Sequence, residues 1–485
     1  TISAPFPYWK RGGAVLIGAC LIGLCIFGIR GRTGYNPIKV SAAYFCQDAF
    51  LNQLGVSPTF NLLTSVMDDM RPENKYLHLM DEQEAITKAQ ALLNRPGEAN
   101  VSPLAVYRHP SMTDSVQRHR PNVVLIMMES MSCKFMKHFG QSETLTPFLD
   151  SLYTRSISFR NFYSAGIHTN HGLYATLYSF PAMMKRNLMK GSVIPRYSGL
   201  PTVLKENGYY NLFFMTHEGQ YDNMNAFFRT NGYDEVFSQE NYPADKVVNS
   251  FGVQDDFLYD YAIPVLNQRA ATGQPFFATL LSISNHPPYV IPPFFHPKTS
   301  EPETQIVEYA DWALRQFFEE ARKQPWFDNT IFVLEGDHGK LVGDAECELP
   351  ESYNHIPLMI YSSRIQPEEK TAFGGQVDIQ PTILGLLNID YLQNNFGVDL
   401  LKEERPCMFY TADNMVVGRN DTLLYLYNYE TQQELTYHIG NGKLNAVPMG
   451  DSFLPLKEYS FSMLQSAEFL VKHGKTLNSI PFTQQ

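Results

Sequence analysis

Two apolar runs end on residues that can hold a cation. Pro121-Asn122-Val123-Val124-Leu125-Ile126-Met127-Met128 stops at Glu129-Ser130, and Thr330-Ile331-Phe332-Val333-Leu334-Glu335 stops at Gly336-Asp337-His338-Gly339. Unbroken aliphatic and β-branched runs of this length suit strands buried on both faces of a parallel sheet. In open α/β sheets the carboxyl ends of such strands line the active-site crevice. Glu129, Asp337 and His338 are therefore expected at one point, and that set of oxygen and imidazole ligands suits a divalent cation. A hydroxyl nucleophile candidate, Thr169, sits in Gly166-Ile167-His168-Thr169-Asn170-His171-Gly172, after a strand-like stretch and before a helix-like one. Free N–H groups at a helix N-terminus favour an anion, and a bound metal can make a hydroxyl a competent nucleophile. A plain N-cap is the commoner fate of such a threonine; the metal-ligand types elsewhere in the chain turn the reading toward catalysis.

These residues need a scaffold, and the pattern from residue 120 onward supplies one. Strand-like segments at 122–128, 157–163, 210–216, 276–284, 330–335 and 357–362 alternate with helix-like segments at 145–155, 171–179, 200–207, 254–269 and 305–324. Such alternation predicts an α/β fold with a mainly parallel sheet sandwiched by helices. After about residue 404 the texture changes, and 406–411, 422–429 and 433–439 read as short antiparallel strands. The expected organisation is a membrane helix with its flanks (1–32), a stalk or linker carrying a surface helix at 74–94 (33–119), a catalytic domain (120–403) and a small C-terminal antiparallel subdomain (404–485).

The membrane helix rests on Gly12 to Ile29, which carries no charge and is bounded by Lys10-Arg11 and Arg30-Gly31-Arg32. Its length meets the lower end of what spans a bilayer, and Phe6, Tyr8 and Trp9 lie where an aromatic belt would sit. No small-x-small cleavage site follows it, so a retained span is preferred to a signal peptide. The chain opens on Thr1, which points to a longer protein with further spans upstream. The net charge of −11 argues against a nucleic-acid partner. The six cysteines show no Cys-x-x-Cys spacing and hence no zinc-ribbon or redox motif.

Taken together these motifs resemble the alkaline-phosphatase and sulfatase superfamily, and within it the lipoteichoic-acid-synthase-like phosphoglycerol transferases. The resemblance covers roughly residues 120–400. It is carried by Met128-Glu129-Ser130, by Thr169 with Tyr178-Ser179-Phe180-Pro181-Ala182 after it, by Asn231-Gly232-Tyr233-Asp234, by Ser284-Asn285-His286-Pro287-Pro288-Tyr289 and by Gly336-Asp337-His338-Gly339. Tyr35-Asn36-Pro37 and Ala43-Tyr44-Phe45 also resemble that family's link from its last membrane span. The resemblance implies one metal, manganese first with magnesium or zinc as alternatives, on Glu129, Thr169, Asp337 and His338, with Thr169 as nucleophile. It further implies that His217 and His286 hold the phosphate and assist the alkoxides, and His171 falls where relatives carry lysine. His355, a candidate ligand for a second metal, is read as structural.

Phosphoglycerol transfer from a membrane phospholipid to an envelope glycan or lipid is the expected activity, in a periplasmic or extracellular domain. A tryptophan and an arginine that grip glycerol phosphate in the family have no counterpart between His217 and Gly232, where Arg229 stands in a different place. The alternatives are therefore a phosphoethanolamine transferase, a phosphodiesterase or sulfatase-like hydrolase with the same site, and a non-catalytic envelope scaffold. Thr169-Asn170-His171-Gly172-Leu173 lacks the Cys/Ser-x-Pro/Ala-x-Arg of true sulfatases.

Overall fold

Asn122–Met128 is apolar after its first residue, and in the structure it is a strand buried along its whole length. In this computed structural model, residues 8–33, 37–46, 49–71, 74–95, 98, 100, 104–108, 120–191, 194–440 and 442–478 are described. The strands of the first part are β1 (Val106–Arg108), β2 (Asn122–Met128), β3 (Ile157–Tyr163), β4 (Tyr210–Met215), β5 (Glu235–Phe237), β6 (Phe276–Leu281), β7 (Thr330–Gly336), β8 (Leu358–Tyr361), β9 (Glu368–Gly375) and β10 (Tyr391–Gln393). Eight of them form the central sheet in the order β5-β4-β6-β2-β7-β8-β3-β9. All neighbours pair in parallel except at β8, which runs antiparallel to both β7 and β3. β8 returns from β7 without a crossover helix, the kind of connection only an antiparallel neighbour permits.

Side-chain alternation on β2 divides the interior in two. Val124, Ile126 and Met128 join Leu149, Leu258, Leu266, Leu314 and Phe318 from helices Pro147–Tyr153, Asp255–Ala270 and Pro302–Ala321. Val123, Leu125 and Met127 join Leu173, Leu177, Leu204 and Ile383 from helices Thr169–Tyr178, Leu200–Glu206 and Ile379–Leu386. Both faces are thus covered, which is why the run reads as continuously apolar rather than alternating.

The register decides where strand ends fall. Met128 of β2 pairs with Gly336 of β7, and Met127 with Leu281 of β6, which in turn pairs with Met215 of β4. The residues that follow, Glu129, Asp337, Ser282 and Thr216-His217, therefore emerge together along one edge.

The C-terminal part is a five-stranded antiparallel meander of β11 (Met408–Thr411), β12 (Met415–Arg419), β13 (Leu423–Asn428), β14 (Gln433–Gly440) and β15 (Lys443–Ala446), closed by the helix Leu454–Lys472. The sequence reading found three of these strands and missed β12, β15 and the helix. Val416, Tyr425, Met463 and Leu464 share one apolar core with the helix Thr169–Tyr178. The helix Glu82–Leu93, capped by Asp81 accepting from Gln83 N and Glu84 N, buries Ala85, Ile86, Ala89 and Leu93. Gln465 of the C-terminal helix accepts from Leu79 N at 2.7 Å, so this part of the 33–119 segment is docked rather than free. Tyr8–Arg30 is a helix, and Gly12–Arg30 within it has a mean hydropathy of 2.4 with none of it covered by protein. Phe6 and Tyr35-Asn36 lie outside the described residues, as does nearly all of the polar connector 96–119.

Candidate active site

β2 delivers Glu129 to the sheet edge, and the chain then turns sharply at Ser130, whose φ of 50° is left-handed. The turn is held by Asn285, whose Nδ2 donates to the carbonyls of Glu129 (3.2 Å) and Ser130 (3.1 Å). Ser130 N and His338 N both donate to Asp337 Oδ1, at 2.8 and 2.7 Å. That fixes the carboxylate and leaves Asp337 Oδ2 buried with no hydrogen-bond partner. His338 Nδ1 faces the Gly339 carbonyl at 2.7 Å; with the proton assigned there, the Nε2 lone pair points away from the backbone. Nε2 lies 3.8 Å from Glu129 Oε1 and 3.6 Å from Asp337 Oδ2.

Glu129, Asp337 and His338 are the group of three or more ligand types that comes together among the described residues, with their ligand atoms within 4.8 Å of one another. Two buried carboxylates facing each other are unfavourable without a cation. Burial first, and the Asp337 charge second, push the Glu129 carboxyl well above the usual range. The unsatisfied Asp337 Oδ2, the free imidazole nitrogen and the paired carboxylates fit a divalent cation, which these groups would hold.

Thr169 opens the helix Thr169–Tyr178, with His168 in extended backbone before it. Its Oγ1 lies 3.4 Å from Glu129 Oε2. The helix rides directly on the end of β7: a Cβ added at Gly172 would collide with the Asp337 carbonyl oxygen. Gln376 clamps the same junction, donating from Nε2 to the Asp337 and Gly336 carbonyls (2.8 and 3.1 Å) and accepting from Ala165 N at 2.9 Å. No pattern in the sequence marks Gln376, because its role exists only where three distant segments meet.

His217 and His286 repeat the device seen at His338, each with Nδ1 toward a following carbonyl: Glu218 O at 3.3 Å and Pro287 O at 2.6 Å. Burial lowers the pKa of both. His286 senses the charges of His338, Asp337 and Lys340, and His217 senses that of His286. His171 is placed differently. It is buried against Gly166, its ring nitrogens lack hydrogen bonds of ordinary geometry, and burial holds its pKa down to about 3. A ring that stays neutral is a weak anion grip. His355 bonds the Arg160 carbonyl at 2.8 Å and stacks on Tyr163, a packing role.

Sequence reasoning passed over Lys340. Its ammonium donates to Asn285 Oδ1 (2.6 Å) and Tyr289 OH (3.2 Å). Burial lowers its pKa to about 8, and Glu129 acts in the opposite sense. Its place two residues after His338 was the available signal. His168 was also passed over; its Nε2 lies 2.7 Å from Asp413 Oδ1 of the C-terminal part.

A family model described as Sulfatase matches residues 121–389. The chain belongs to the sulfatase family. Its match spans β2 through the helix Ile379–Leu386, and so contains every residue of the cluster just described. Lipoteichoic acid synthase 2 of Bacillus subtilis (strain 168) is 24% identical over 315 residues, which is 58% of this chain and 47% of that protein. Lipoteichoic acid synthase 1 of the same organism is 25% identical over 327 residues, 62% of this chain and 50% of its own. The chain thus spans about half the length of the curated relatives it matches. A solved structure of an alkaline phosphatase superfamily protein from Vibrio parahaemolyticus superposes with a TM-score of 0.73 at 25% identity, covering 83% of this chain and 98% of that one. The lipoteichoic acid synthase LtaP from Listeria monocytogenes superposes with a TM-score of 0.64 at 21% identity, over 80% and 98% of the two chains, and shares the fold. In sequence it is similar to lipoteichoic acid synthases, and its fold is that of the alkaline phosphatase superfamily protein.

Proposed function

We propose that this chain is a metal-dependent phosphoglycerol transferase, anchored in the membrane by Tyr8–Arg30 with its catalytic domain in the periplasm or outside the cell. The observation that carries the reading is the convergence of the Thr169 hydroxyl with Glu129, Asp337 and His338 at one end of the sheet. A divalent cation, manganese first and magnesium or zinc as alternatives, would be held by these four groups and would lower the hydroxyl's pKa while offsetting charge on the phosphoryl group.

Thr169 Oγ forms a bond to the phosphorus of a membrane phospholipid such as phosphatidylglycerol. The bond from phosphorus to the diacylglycerol oxygen breaks, and diacylglycerol leaves as the alcohol. The phosphoglycerol-threonine ester is then attacked by a hydroxyl of a glycan or lipid acceptor, which frees Thr169. His286 and His217, kept neutral by their lowered pKa, present Nε2 as a proton acceptor for the entering hydroxyl and return that proton to the leaving oxygen. Lys340, held by Asn285 and Tyr289, supports negative charge on the phosphoryl oxygens. The anchor keeps this machinery beside a lipid donor.

Intact-protein mass spectrometry after incubation with manganese and phosphatidylglycerol, beside a Thr169→Ala control, tests this. An adduct of phosphoglycerol mass that the control lacks supports the reading. An adduct with phosphatidylethanolamine instead keeps the mechanism and moves the donor. No adduct with either lipid, in a protein that binds no metal, leaves the scaffold.

A further inference from the structure

The helix Pro58–Asp69 is built inside out. At 100° per residue, Leu62, Val66, Met70, Leu63, Met67 and Phe60 fall on one side, with Thr59 of the first turn among them. Asn61, Thr64, Ser65 and Asp68 fall on the other. A helix lying on a protein core covers its apolar side and wets its polar one. Here Leu62 is 66%, Leu63 60%, Met67 63% and Met70 77% exposed, while Asn61, Thr64, Ser65 and Asp68 are half-buried. The geometry is well anchored locally. Ser57 caps the first turn, Pro58 takes the first helical position, and Asn74 Nδ2 donates to the Asp68 carbonyl at 2.9 Å. Leu54 and Phe45, earlier in the chain, are also exposed, at 67% and 70%. Contiguous apolar surface of this kind marks an interaction site.

The chain itself names the occupant. The apolar helix Tyr8–Arg30 ends shortly before this segment, so a bilayer spanned by that helix is the apolar phase the segment meets first. No basic side chain lies on the helix, so the attraction is to the hydrocarbon boundary and not to anionic headgroups. We propose that the apolar side of Pro58–Met70 lies in the bilayer interface as a second attachment beside the membrane span. Two attachments restrict the swing of the catalytic domain over the lipid surface.

The proposal rests on Tyr8–Arg30 being a membrane span, and the test separates the two. A photoreactive benzophenone amino acid is placed singly at Leu63, Met67, Ser65 or Leu21 in the full chain, in nanodiscs of phosphatidylcholine and phosphatidylglycerol. Irradiated protein is then weighed intact. Lipid-mass adducts at Leu63 and Met67, at least about fivefold above Ser65 and unchanged in ~1 M salt, are expected. Equal yields at Leu63 and Ser65, or chain-to-chain products at Leu63 and Met67, overturn the proposal, the latter in favour of a second copy. Adducts at Leu21 with none at Leu63 or Met67 overturn it while the anchor stands. No lipid adduct at Leu21 either removes the anchor and the proposal together.

Discussion

Thr169 Oγ1 sits 3.4 Å from Glu129 Oε2, so the first turn of one helix meets the end of the central strand at the carboxylate cluster. A hydroxyl at this point has a base-like oxygen beside it and free helix N–H groups around it. Thr169→Ala is expected to lower turnover by about 10³-fold or more with an unchanged melting temperature, whereas Thr169→Ser retains measurable activity. Steady-state release of diacylglycerol from vesicles checks both.

Gly172 carries the helix Thr169–Tyr178 against the Asp337 carbonyl, where an added Cβ has no room. Gly172→Ala should displace Thr169 relative to Glu129 by a fraction of an ångström to an ångström. The expected result is a fall in kcat of about 10²-fold with KM little changed, since positioning and not binding is lost. Comparison with Asn170→Ala, on the same turn, controls for general damage to the helix.

On the proposed reading, a metal and protons compete for the same carboxylates. The Glu129 carboxyl is raised well above its ordinary value by burial and by Asp337, so the metal-free folded state binds a proton more tightly than the unfolded chain does. Without metal, stability contributed here is greatest below the ordinary glutamate pKa of about 4.3 and is lost as pH rises toward the folded value. Bound cation reverses this, because it takes the ionised form. The rise in Tm on adding manganese should therefore be larger at pH 8 than at pH 6 and should vanish on chelation. A shift that shrinks with pH would contradict it.

Arg405 and Asp378 form a buried pair that joins the two sheets. Asp378 also accepts from Gly375 N and Val398 N, and Arg405 Nη1 donates to Tyr459 OH on the C-terminal helix at 2.7 Å. Arg405→Ala leaves a buried carboxylate uncompensated, at a cost of about 3–5 kcal/mol. Urea unfolding should show a lower midpoint with one transition. Two separated transitions would show that the C-terminal sheet melts independently.

Arg32 Nη2 lies 2.8 Å from Glu218 Oε1, tying the chain just beyond the apolar helix to the residue after His217. Loss of this contact is expected to reach the site through the His217 loop. Arg32→Gln should raise KM severalfold with kcat nearly unchanged, and the swap Arg32→Glu with Glu218→Arg should recover part of it. Kinetics on vesicle-embedded lipid give the comparison.

Local sequence carried much of this. The runs ending at Glu129 and at Asp337-His338 were legible because a strand covered on both faces must be apolar throughout, and its polar terminus then stands out. The helix expected at 74–94 was legible in part: only Glu82–Leu93 is α-helical, and it buries Ala85, Ile86, Ala89 and Leu93 instead of lying free on the surface. β12 and β15 were not. Gly418 in β12 and the short, exposed Lys443–Ala446 lack a strand pattern of their own and take form by pairing with neighbours.

The sequence by itself determined the strand-helix alternation, the residue types at the strand ends and the long apolar helix near the N-terminus, because each is written in local periodicity and burial. Only the tertiary structure decided that Met128 pairs with Gly336, that Gln376 bridges Ala165 to Asp337, and that His171 is buried while His286 packs on Phe251. It also decided that Leu63 and Met67 face outward while Asn61 and Ser65 are covered. These are relations between segments far apart in the chain. Register, close packing and shared burial set them, and no stretch of sequence contains them alone.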